Sequence, residues 1–562
     1  MEGSTQGLKK SQIYALERTY RRRVPEDELV TAELANHITT LSSELGRQVG
    51  VIIDRKGDIV HTILGDESQI VIPDLTKLGM GRGKLRGVRC VHTHLLGEAL
   101  TEDDIADLTL LRLDAMAAIE VRKDGRPGKI YAAHLLPPNP EGEVYRVLDP
   151  VDFFAFEMPF GEFISSLSGE IAEKQARTVK AKGADQCILI HVSTESKVEI
   201  EARLDELKEL CRTASLEVVD VAIQRPRKIN PRYLLGEGKL REVVASALQK
   251  GADLLVFDQE LSPAQARAIS ELTDIRVIDR TQLILDIFAR RAHTPDGKMQ
   301  VELAQLKYIL PRLAGKGVAM SRLMGGVGGR GPGETKLETD RRRVRTRLDQ
   351  LEKKIENISK SRIERRKRRA KAGVPIVSIV GYTNAGKSTL LNNLTASEVF
   401  TEDLLFATLD TSTRRLRFPR EREIIITDTV GFLRDLPKGL VGAFKATLEE
   451  LEDAHLLLHL VDISNPAHEE QVRSVESLLS ELGLDTVPTL LVYNKADRIG
   501  FELASDLARK AGAVAISARD RKSFEPLLDE LERRFWPEES QGEGENSPLE
   551  SDFDESDDYN HH

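Results

Sequence analysis

The sequence predicts an α/β protein whose main domain is built on a parallel sheet. Short runs of β-branched and aliphatic residues alternate with segments of helical periodicity, a pattern that favours strand–helix–strand units. One such run, Ile376–Val380, is followed directly by a glycine-bounded loop and then by a helical pattern over Thr389–Leu394. With 562 residues the chain is too long for a single core, so several domains are expected.

The glycine-bounded loop has the composition of a phosphate-binding loop. Its glycines allow backbone N–H groups to converge on one anion, and the following helix adds the positive end of its dipole. Lys387 would reach the β- and γ-phosphates, and the Ser388 hydroxyl would bind Mg²⁺. We therefore predict nucleotide contacts along the whole loop: Gly381, Tyr382, Thr383, Asn384, Ala385, Gly386, Lys387 and Ser388.

A second motif, after the apolar run Thr489–Tyr493, indicates which base is bound. The Asp497 carboxylate can accept hydrogen bonds from the N1–H and exocyclic amine of guanine, whereas adenine has no donor at N1. Asn494 is expected to tie this loop to the phosphate loop. A third loop follows the run Ala513–Ile516 and would support the guanine carbonyl. The predicted base contacts are Asn494, Lys495, Ala496, Asp497, Ser517, Ala518 and Arg519.

Two segments between these motifs would sense the γ-phosphate. Asp428, after the run Glu423–Thr427, would hold Mg²⁺ through water, and the Gly431 N–H would meet the γ-phosphate. Thr408 is the candidate switch threonine that ligates Mg²⁺ only when the γ-phosphate is present. The predicted contacts here are Phe406, Ala407, Thr408, Leu409, Asp410, Asp428, Thr429, Val430 and Gly431. Together, the motifs predict a P-loop NTPase G domain that hydrolyses GTP.

The residues expected to act in hydrolysis are Lys387, Thr408, Gly431 and Asn384. Phe432 stands where signalling GTPases place the glutamine that orients water, so slow intrinsic hydrolysis is expected. Asn384 resembles the phosphate-loop asparagine of potassium-activated GTPases, which implies K⁺ as a second cation beside Mg²⁺. The alternative is that Asn384 only caps the backbone of the loop.

The chain divides into five predicted segments. Residues 1–185 are an N-terminal α/β extension, 186–297 a small parallel α/β domain, 298–372 an antiparallel helical hairpin, 373–537 the G domain and 538–562 an acidic tail. Leucines spaced three and four residues apart predict both hairpin helices. The segment Gly236–Lys239 is interpreted as a tight turn, because it lacks the full phosphate-loop pattern.

The formal net charge of −10 conceals two opposed segments. Residues 538–562 carry ten acidic side chains, which favours a disordered tail; an autoinhibitory mimic of RNA is the alternative. Residues 340–371 carry fifteen Lys or Arg against five Asp or Glu, which favours phosphate contacts over a merely solvated face. The glycine-rich loop 325–333 is either a slack linker or a hairpin tip in which Arg330 contacts RNA.

Nothing in the sequence predicts export or membrane insertion. The chain has no run of eighteen apolar residues, and its first residues lack the apolar stretch of a signal peptide. The three cysteines are scattered, as is typical of proteins in a reducing compartment. We therefore expect a cytoplasmic protein with no membrane partner.

Residues 1–185 contain one motif with metal-binding chemistry. His92 and His94 end the apolar run that begins at Val88, and Asp104 follows. This layout resembles the JAMM/RadC-type metalloprotease-like fold, which implies His92, His94 and Asp104 as zinc ligands and Glu44 as general base. It departs from that pattern in two ways. The spacing from His94 to Asp104 is one residue shorter, and Leu95-Leu96 stands where the pattern has Pro-Ser after the second histidine. The alternative is a degenerate or unrelated α/β module.

Several stretches between residues 186 and 537 resemble the HflX family of translation GTPases. They are Leu261–Gln265, Gln300–Gln305, Gly325–Arg342 and Leu405–Asp410. The resemblance implies a protein that binds GTP or GDP and the large ribosomal subunit through its rRNA, that acts in ribosome splitting, rescue or assembly, and that has some ATPase activity. We also expect a monomer. Two alternatives remain: a zinc-dependent hydrolase in residues 1–185 regulated by the GTPase, or an NTPase that remodels free RNA.

Overall fold

The computed structural model describes residues 1–73, 75, 85–182, 185–273, 275–313, 341–358, 374–395, 412–418, 422–429, 431–433 and 449–537. Within these ranges the chain forms two compact units, one before residue 359 and one after it. The glycine-rich loop 325–333, the basic run 362–371 and the acidic tail lie outside the described residues, so the predictions made for them stay predictions.

The first unit begins with a seven-stranded mixed sheet. Its strands are β1 (Val49–Asp54), β2 (Ile59–Leu64), β3 (Val88–His94), β4 (Ala115–Val121), β5 (Pro127–Leu135), β6 (Tyr145–Val147) and β7 (Val151–Asp152). The spatial order is β2-β1-β3-β4-β5-β6, and β7 pairs with β5. The alternating aliphatic residues of β1 and β2 form an antiparallel hairpin, and β3 runs parallel to β4.

Four helices accompany this sheet within the described residues: α1 (Lys10–Arg18), α2 (Ala32–Leu45), α3 (Glu102–Leu110) and α4 (Phe160–Lys182). Helix α2 begins where the Thr31 side chain accepts a hydrogen bond from the Leu34 N–H. It ends at Gly46, whose φ of +63° is readily adopted by glycine. Helix α3 begins with a capping box in which Thr101 and Asp104 exchange hydrogen bonds.

The first unit continues with a four-stranded sheet in which all strands are parallel. Its elements in chain order are β8 (Asp185–Val192), α5 (Lys197–Thr213), β9 (Leu216–Gln224), α6 (Glu237–Lys250), β10 (Leu254–Phe257), α7 (Pro263–Leu272), β11 (Arg276–Asp279) and α8 (Arg280–Arg291). The spatial order is β11-β10-β8-β9. Gly236 is the N-cap of α6 and residues 237–239 form its first turn, so the interpretation of Gly236–Lys239 as a tight turn is wrong.

The unit ends with two helices that pack on each other, α9 (Pro295–Ile309) and α10 (residues 341–358). Leu303 of α9 and Leu351 of α10 are buried in one apolar cluster between them. At the edge of this cluster, Arg347 donates to Glu302 over 2.7 Å. The leucine stripes in the sequence therefore form a helix–helix interface and leave the charged residues of α10 outside it.

The second unit is a six-stranded sheet with helices. Its elements are β12 (Ile376–Gly381), α11 (Lys387–Thr395), β13 (Ser412–Phe418), β14 (Arg422–Asp428), β15 (Leu456–Asp462), α12 (His468–Glu481), β16 (Thr489–Asn494), α13 (Phe501–Ala511), β17 (Val514–Ala515) and α14 (Glu525–Phe535). The order is β13-β14-β12-β15-β16-β17, parallel except for β13. Parallel strands bring their carboxyl ends to one edge, where every described motif loop begins.

The α/β fold class is confirmed, and the differences from the sequence interpretation are local. Strand β17 has two residues rather than the four of the apolar run 513–516. Among the helices that the structure describes, none combines the length and apolar content needed to cross a membrane.

Candidate functional site

The phosphate loop of the second unit connects β12 to α11. Gly381 has a φ of +148°, and a Cβ there would lie 2.2 Å from the Leu460 carbonyl oxygen. Gly386 has a φ of +97°, and a Cβ there would lie 2.4 Å from Asn494 Nδ2. Both positions therefore require glycine, because the loop is in close contact with strands β15 and β16.

Lys387 occupies the first position of α11, and its side chain is buried. Its Nζ donates to the carbonyl oxygens of Gly381 (3.1 Å) and Tyr382 (2.9 Å), which holds the ammonium along the loop. Burial lowers the pKa of Lys387 to about 8, and the charge of Asp428 opposes this shift. The side chain is thus mainly protonated at neutral pH and is placed to meet a phosphate.

Two oxygen ligands meet at the edge of β12 and β14. The Ser388 hydroxyl donates to Asp428 Oδ2 over 2.7 Å. Asp428 ends β14, and its register with Ile379 of β12 brings it beside the start of α11. A hydroxyl and a carboxylate are the hard oxygen donors that Mg²⁺ prefers, so this pair fits the predicted magnesium site.

The segment after β14 is fixed against the phosphate loop by main-chain pairing. The Phe432 N–H donates to the Gly381 carbonyl over 3.1 Å, and the Thr383 N–H donates to the Phe432 carbonyl over 2.8 Å. A Cβ at Gly431 would lie 2.7 Å from Thr383 Cγ2 and 3.0 Å from Lys387 Nζ. Only a residue without a side chain fits there, and Phe432 is itself buried. Phe432 therefore anchors this segment rather than facing the site.

Asn494 joins three loops of the predicted nucleotide site. Its Nδ2 donates to the Ala385 carbonyl over 2.6 Å, and its Oδ1 accepts from the Ala518 N–H over 2.7 Å. The side chain is buried, which makes both contacts costly to lose. The phosphate loop and the two predicted base loops are therefore held in one arrangement.

The predicted base-reading residues lie around the positive-φ residue Lys495. Asp497 is exposed, and its Oδ1 accepts from Ser517 Oγ over 2.7 Å. Lys495 Nζ lies 2.7 Å from Asp462 Oδ2. Asp462 belongs to none of the sequence motifs, although its place at the carboxyl end of a buried apolar strand marks it as a candidate. Arg519 is exposed, and Ala496 is buried.

Two further predicted site residues, Asn384 and Thr429, differ from each other in burial and in hydrogen bonding. Asn384 is exposed with a φ of +62°, and among the described residues its side chain makes no hydrogen bond. Thr429 is buried, and its hydroxyl donates to the Ile379 carbonyl over 2.7 Å. The switch segment Phe406–Asp410, with Thr408, and residue Val430 lie outside the described residues and stay predictions.

The first unit brings together the three predicted zinc ligands. One ligand atom each of His92, His94 and Asp104 lies within 4.8 Å of the other two. Glu44, the suggested general base, is exposed on α2. Thr93, between the two histidines, donates to Ser42 of α2 over 2.8 Å. Since side chains alternate along a strand, α2 covers the face of the sheet opposite the histidines, and Glu44 does not belong to the cluster.

His459 is a buried histidine beneath the phosphate loop that the motif search did not single out. It lies on β15 in register with Val380 of β12. Burial lowers the pKa of His459 to about 4, and the positive charge of Lys387 adds to the effect. The imidazole is therefore neutral in the folded state at pH values where a solvated histidine is already protonated.

We expect His459 to make this unit less stable at mildly acidic pH. The unfolded chain binds a proton below about pH 6.5 whereas the folded chain does not, so stability falls by about 2 kcal/mol from pH 7.5 to pH 5. The chain has a single tryptophan, and Trp536 packs on Phe418 of this unit with 5.6 Å between ring centroids. Its fluorescence therefore reports the unfolding of this unit.

The substitution His459→Gln should remove most of that pH dependence, whatever its effect on stability at pH 7.5. His468→Gln, a change on helix α12 of the same unit, is the matched control and should retain it. If the free energy of unfolding of the His459 variant fell between pH 7.5 and pH 5 as much as that of the wild type, this account of the buried imidazole would be contradicted.

Family models match most of the chain from residue 201 to residue 495. A model described as GTP-binding GTPase N-terminal matches residues 201–289, and one described as GTP-binding GTPase middle region matches residues 291–369. A third, described as 50S ribosome-binding GTPase, matches residues 376–495. The last of these ranges contains the phosphate loop and Asn494.

Curated relatives give the same result. The GTPase HflX of Caldanaerobacter subterraneus subsp. tengcongensis is 46% identical over 64% of this chain and 82% of the relative. The GTPase HflX of Alkalihalophilus pseudofirmus is 48% identical over 57% of this chain and 76% of the relative. The GTPase HflX of Escherichia coli (strain K12) is 43% identical over 64% of this chain and 84% of the relative. The chain therefore belongs to the HflX family of GTPases.

Proposed function

We propose that the second unit hydrolyses GTP with Mg²⁺ held by Ser388 directly and by Asp428 through water. The observation that carries this proposal is the 2.7 Å contact between these two side chains, next to the buried ammonium of Lys387. Bound Mg²⁺ would neutralise charge that develops on the phosphates. Lys387 would add a positive charge at the same place, and the N–H of Gly431, which lies close to Thr383 and Lys387, would meet the γ-phosphate. Thr408 completes the metal site in this proposal.

Selection of guanine falls to Asp497. Its Oδ1 is held by the Ser517 hydroxyl, so the carboxylate is fixed in orientation at an exposed position where a base can approach. The ion pair between Lys495 and Asp462 likewise restrains the lysine that would lie along the base. A carboxylate held in this way discriminates against adenine, which offers it no N1–H.

The attacking water requires help from outside the segment after Gly431, because Phe432 is buried and has no hydrogen-bonding group on its ring. We assign this help to K⁺ beside Asn384, whose exposed side chain stands at the edge of the phosphate loop. Equal GTP turnover in KCl and NaCl, with and without the ribosomal partner, would rule this assignment out.

The hairpin is the surface proposed to bind the large ribosomal subunit. Its described helix α10 carries seven Lys or Arg against three Asp or Glu between residues 341 and 358. Most of these basic side chains are exposed, because α10 packs on α9 through its leucines. Positive charge exposed along a helix suits RNA phosphates. The model matching residues 376–495 is described as a 50S ribosome-binding GTPase, which supports this choice of RNA.

The two parts act together in the proposed cycle. The γ-phosphate orders the segments around Thr408 and Gly431, and this order decides whether the hairpin stays bound to the subunit. Hydrolysis then gates release, which is the behaviour needed for ribosome splitting, rescue or assembly. We propose that the protein works as a cytoplasmic monomer.

The substitution Asp497→Asn should exchange guanine for xanthine specificity. It retains the oxygen that accepts from Ser517 but replaces the other oxygen with an N–H donor, which matches the O2 of xanthine. GTP affinity should fall by roughly 10–100-fold, since a donor or acceptor that the bound base buries and leaves unpaired costs about 1–3 kcal/mol. Binding of fluorescent GTP and XTP analogues measures the change.

Asp506→Asn is the matched control, because this carboxylate is exposed on α13 and pairs with Arg509 at the surface. It should bind GTP as the wild type does. Unchanged GTP affinity in the Asp497 variant would refute the proposed base contact without affecting the phosphate site.

Neutralising exposed basic residues of α10 should weaken binding to large subunits and leave intrinsic GTP turnover unchanged. The variant is Arg342→Gln, Arg345→Gln and Lys353→Gln, measured by cosedimentation with a non-hydrolysable GTP analogue, with GDP and without nucleotide. Each lost phosphate contact should reduce the slope of log K against log salt by about 0.7–0.9. Wild-type binding should be strongest with the GTP analogue.

The matched control changes three exposed basic residues in and beside the turn between β4 and β5 instead: Lys123→Gln, Arg126→Gln and Lys129→Gln. It should sediment with subunits as the wild type does. Absence of binding in all three nucleotide conditions would refute the ribosomal role and leave the GTPase intact. Binding to naked RNA as tight as binding to subunits would favour an RNA-remodelling NTPase.

A further inference from the structure

A buried cluster of three metal-ligating side chains lies in the first unit, where the proposed GTPase cycle gives it no role. His92 Nε2 is 2.9 Å from His94 Nε2. The two nitrogens are 3.2 Å and 3.5 Å, respectively, from the two carboxylate oxygens of Asp104. Donor atoms that share one tetrahedral zinc ion lie roughly 3.3 Å apart, so these spacings already suit a single ion.

Neighbouring groups turn lone pairs of His94 and Asp104 towards the centre of the cluster. His94 Nδ1 lies 2.9 Å from the carbonyl oxygen of Glu98. A carbonyl only accepts, so Nδ1 carries the hydrogen, and the lone pair of a neutral imidazole is on Nε2. The Asp104 carboxylate is held from behind by the N–H and hydroxyl of Thr101, both 2.8 Å from Oδ2.

His92 is the third member and can present a lone pair as well. Its Nδ1 is buried and has no hydrogen-bond partner among the described residues. No donor at Nδ1 therefore forces the ring hydrogen onto Nε2, and either ring nitrogen can carry it. With the hydrogen on Nδ1, three acceptors converge on one point and need a cation between them. With the hydrogen on Nε2, His92 donates within the cluster and no ion is required. These two states can be distinguished by experiment.

We propose that His92, His94 and Asp104 bind one Zn²⁺ ion and that this ion has a structural role. Two imidazole nitrogens and a carboxylate are a ligand set that zinc accepts, with water in the fourth position. The ligands are almost sealed from solvent, with exposed fractions of 0%, 1% and 8%. Glu44, the residue suggested as general base, lies on the other side of the sheet and does not reach the cluster.

The ion would fasten α3 to strand β3. Asp104 is the third residue of α3, whereas both histidines belong to β3. The same helix joins the seven-stranded sheet to the four-stranded one. Its Asp103 pairs with Arg241 of α6 over 3.0 Å. Its Leu110 is buried in the apolar core of the four-stranded sheet. Zinc would thus hold α3 in place, and α3 is the helix that packs residues 1–182 against the four-stranded sheet.

Metal analysis of the full chain, reconstituted with zinc and dialysed, tests the site. We expect about one zinc per chain, held at least 100-fold more weakly in His92→Ala and Asp104→Asn. His134→Gln is the matched control, a buried histidine on β5 outside the cluster, and it should retain zinc. Less than a tenth of an equivalent in the wild type, or iron bound in preference to zinc, would overturn the assignment.

A spectroscopic measurement keeps the test valid if a variant fails to fold. Co²⁺ bound to the wild-type chain should give the absorption of a tetrahedral site with nitrogen and oxygen ligands, and zinc should displace it. A spectrum of hexaaqua or thiolate-bound cobalt would overturn the proposal. None of these measurements depends on GTP turnover, so their failure is distinct from failure of the proposed function.

Hydrogen exchange tests the structural role. Removing zinc with a chelator should speed amide exchange in α3 and at the start of α6 and leave exchange in β12 and β15 unchanged. Arg241→Gln should bind zinc as the wild type does but lose the protection that zinc gives to α6. Exchange in α3 that is the same with and without zinc would refute the structural role.

Discussion

The architecture of the G domain depends on the pair of hydrogen bonds made by the buried side chain of Asn494. One bond fixes the phosphate loop through Ala385, and the other fixes the third loop through Ala518. Gly386 lies so close to Asn494 that a Cβ would not fit between them, so these hydrogen bonds need glycine at that position. Phosphate and base recognition are therefore built on one rigid edge of the sheet, where Ser388 and Asp428 also meet.

The first unit places its chemistry differently. The G domain keeps its polar groups on loops at a sheet edge, whereas the first unit buries a polar cluster between a strand and a helix and leaves positive charge on the exposed side of α10. Buried polar groups need partners, and that requirement makes the cluster of His92, His94 and Asp104 the candidate for a bound ion. The proposed zinc would lie among donor atoms that face one another, and the proposed RNA contacts would use basic side chains exposed on α10.

Most strands and the order of the nucleotide motifs could be predicted from sequence, because apolar runs and glycine spacing are local signals. The apolar run from Val88 to His94, for example, is a strand over its whole length. Contacts between distant segments could not be predicted in this way. The support of Lys495 by Asp462, the burial of His459 under Lys387 and the anchoring role of Phe432 depend on strand order. Glu44 was wrongly associated with the histidines because sequence spacing does not reveal which face of the sheet a helix covers.

The central claim is that this sheet edge binds a guanine nucleotide, and calorimetry of the full chain tests it most directly. Titration in magnesium buffer with GDP and with a non-hydrolysable GTP analogue should release heat with a stoichiometry of about one. Removing Mg²⁺ should weaken binding of the GTP analogue, since charge on the phosphates would lose its counterion. ATP should bind at least about tenfold more weakly, a difference of about 1.4 kcal/mol. No heat with either guanine nucleotide, or equal affinity for ATP, would contradict the account.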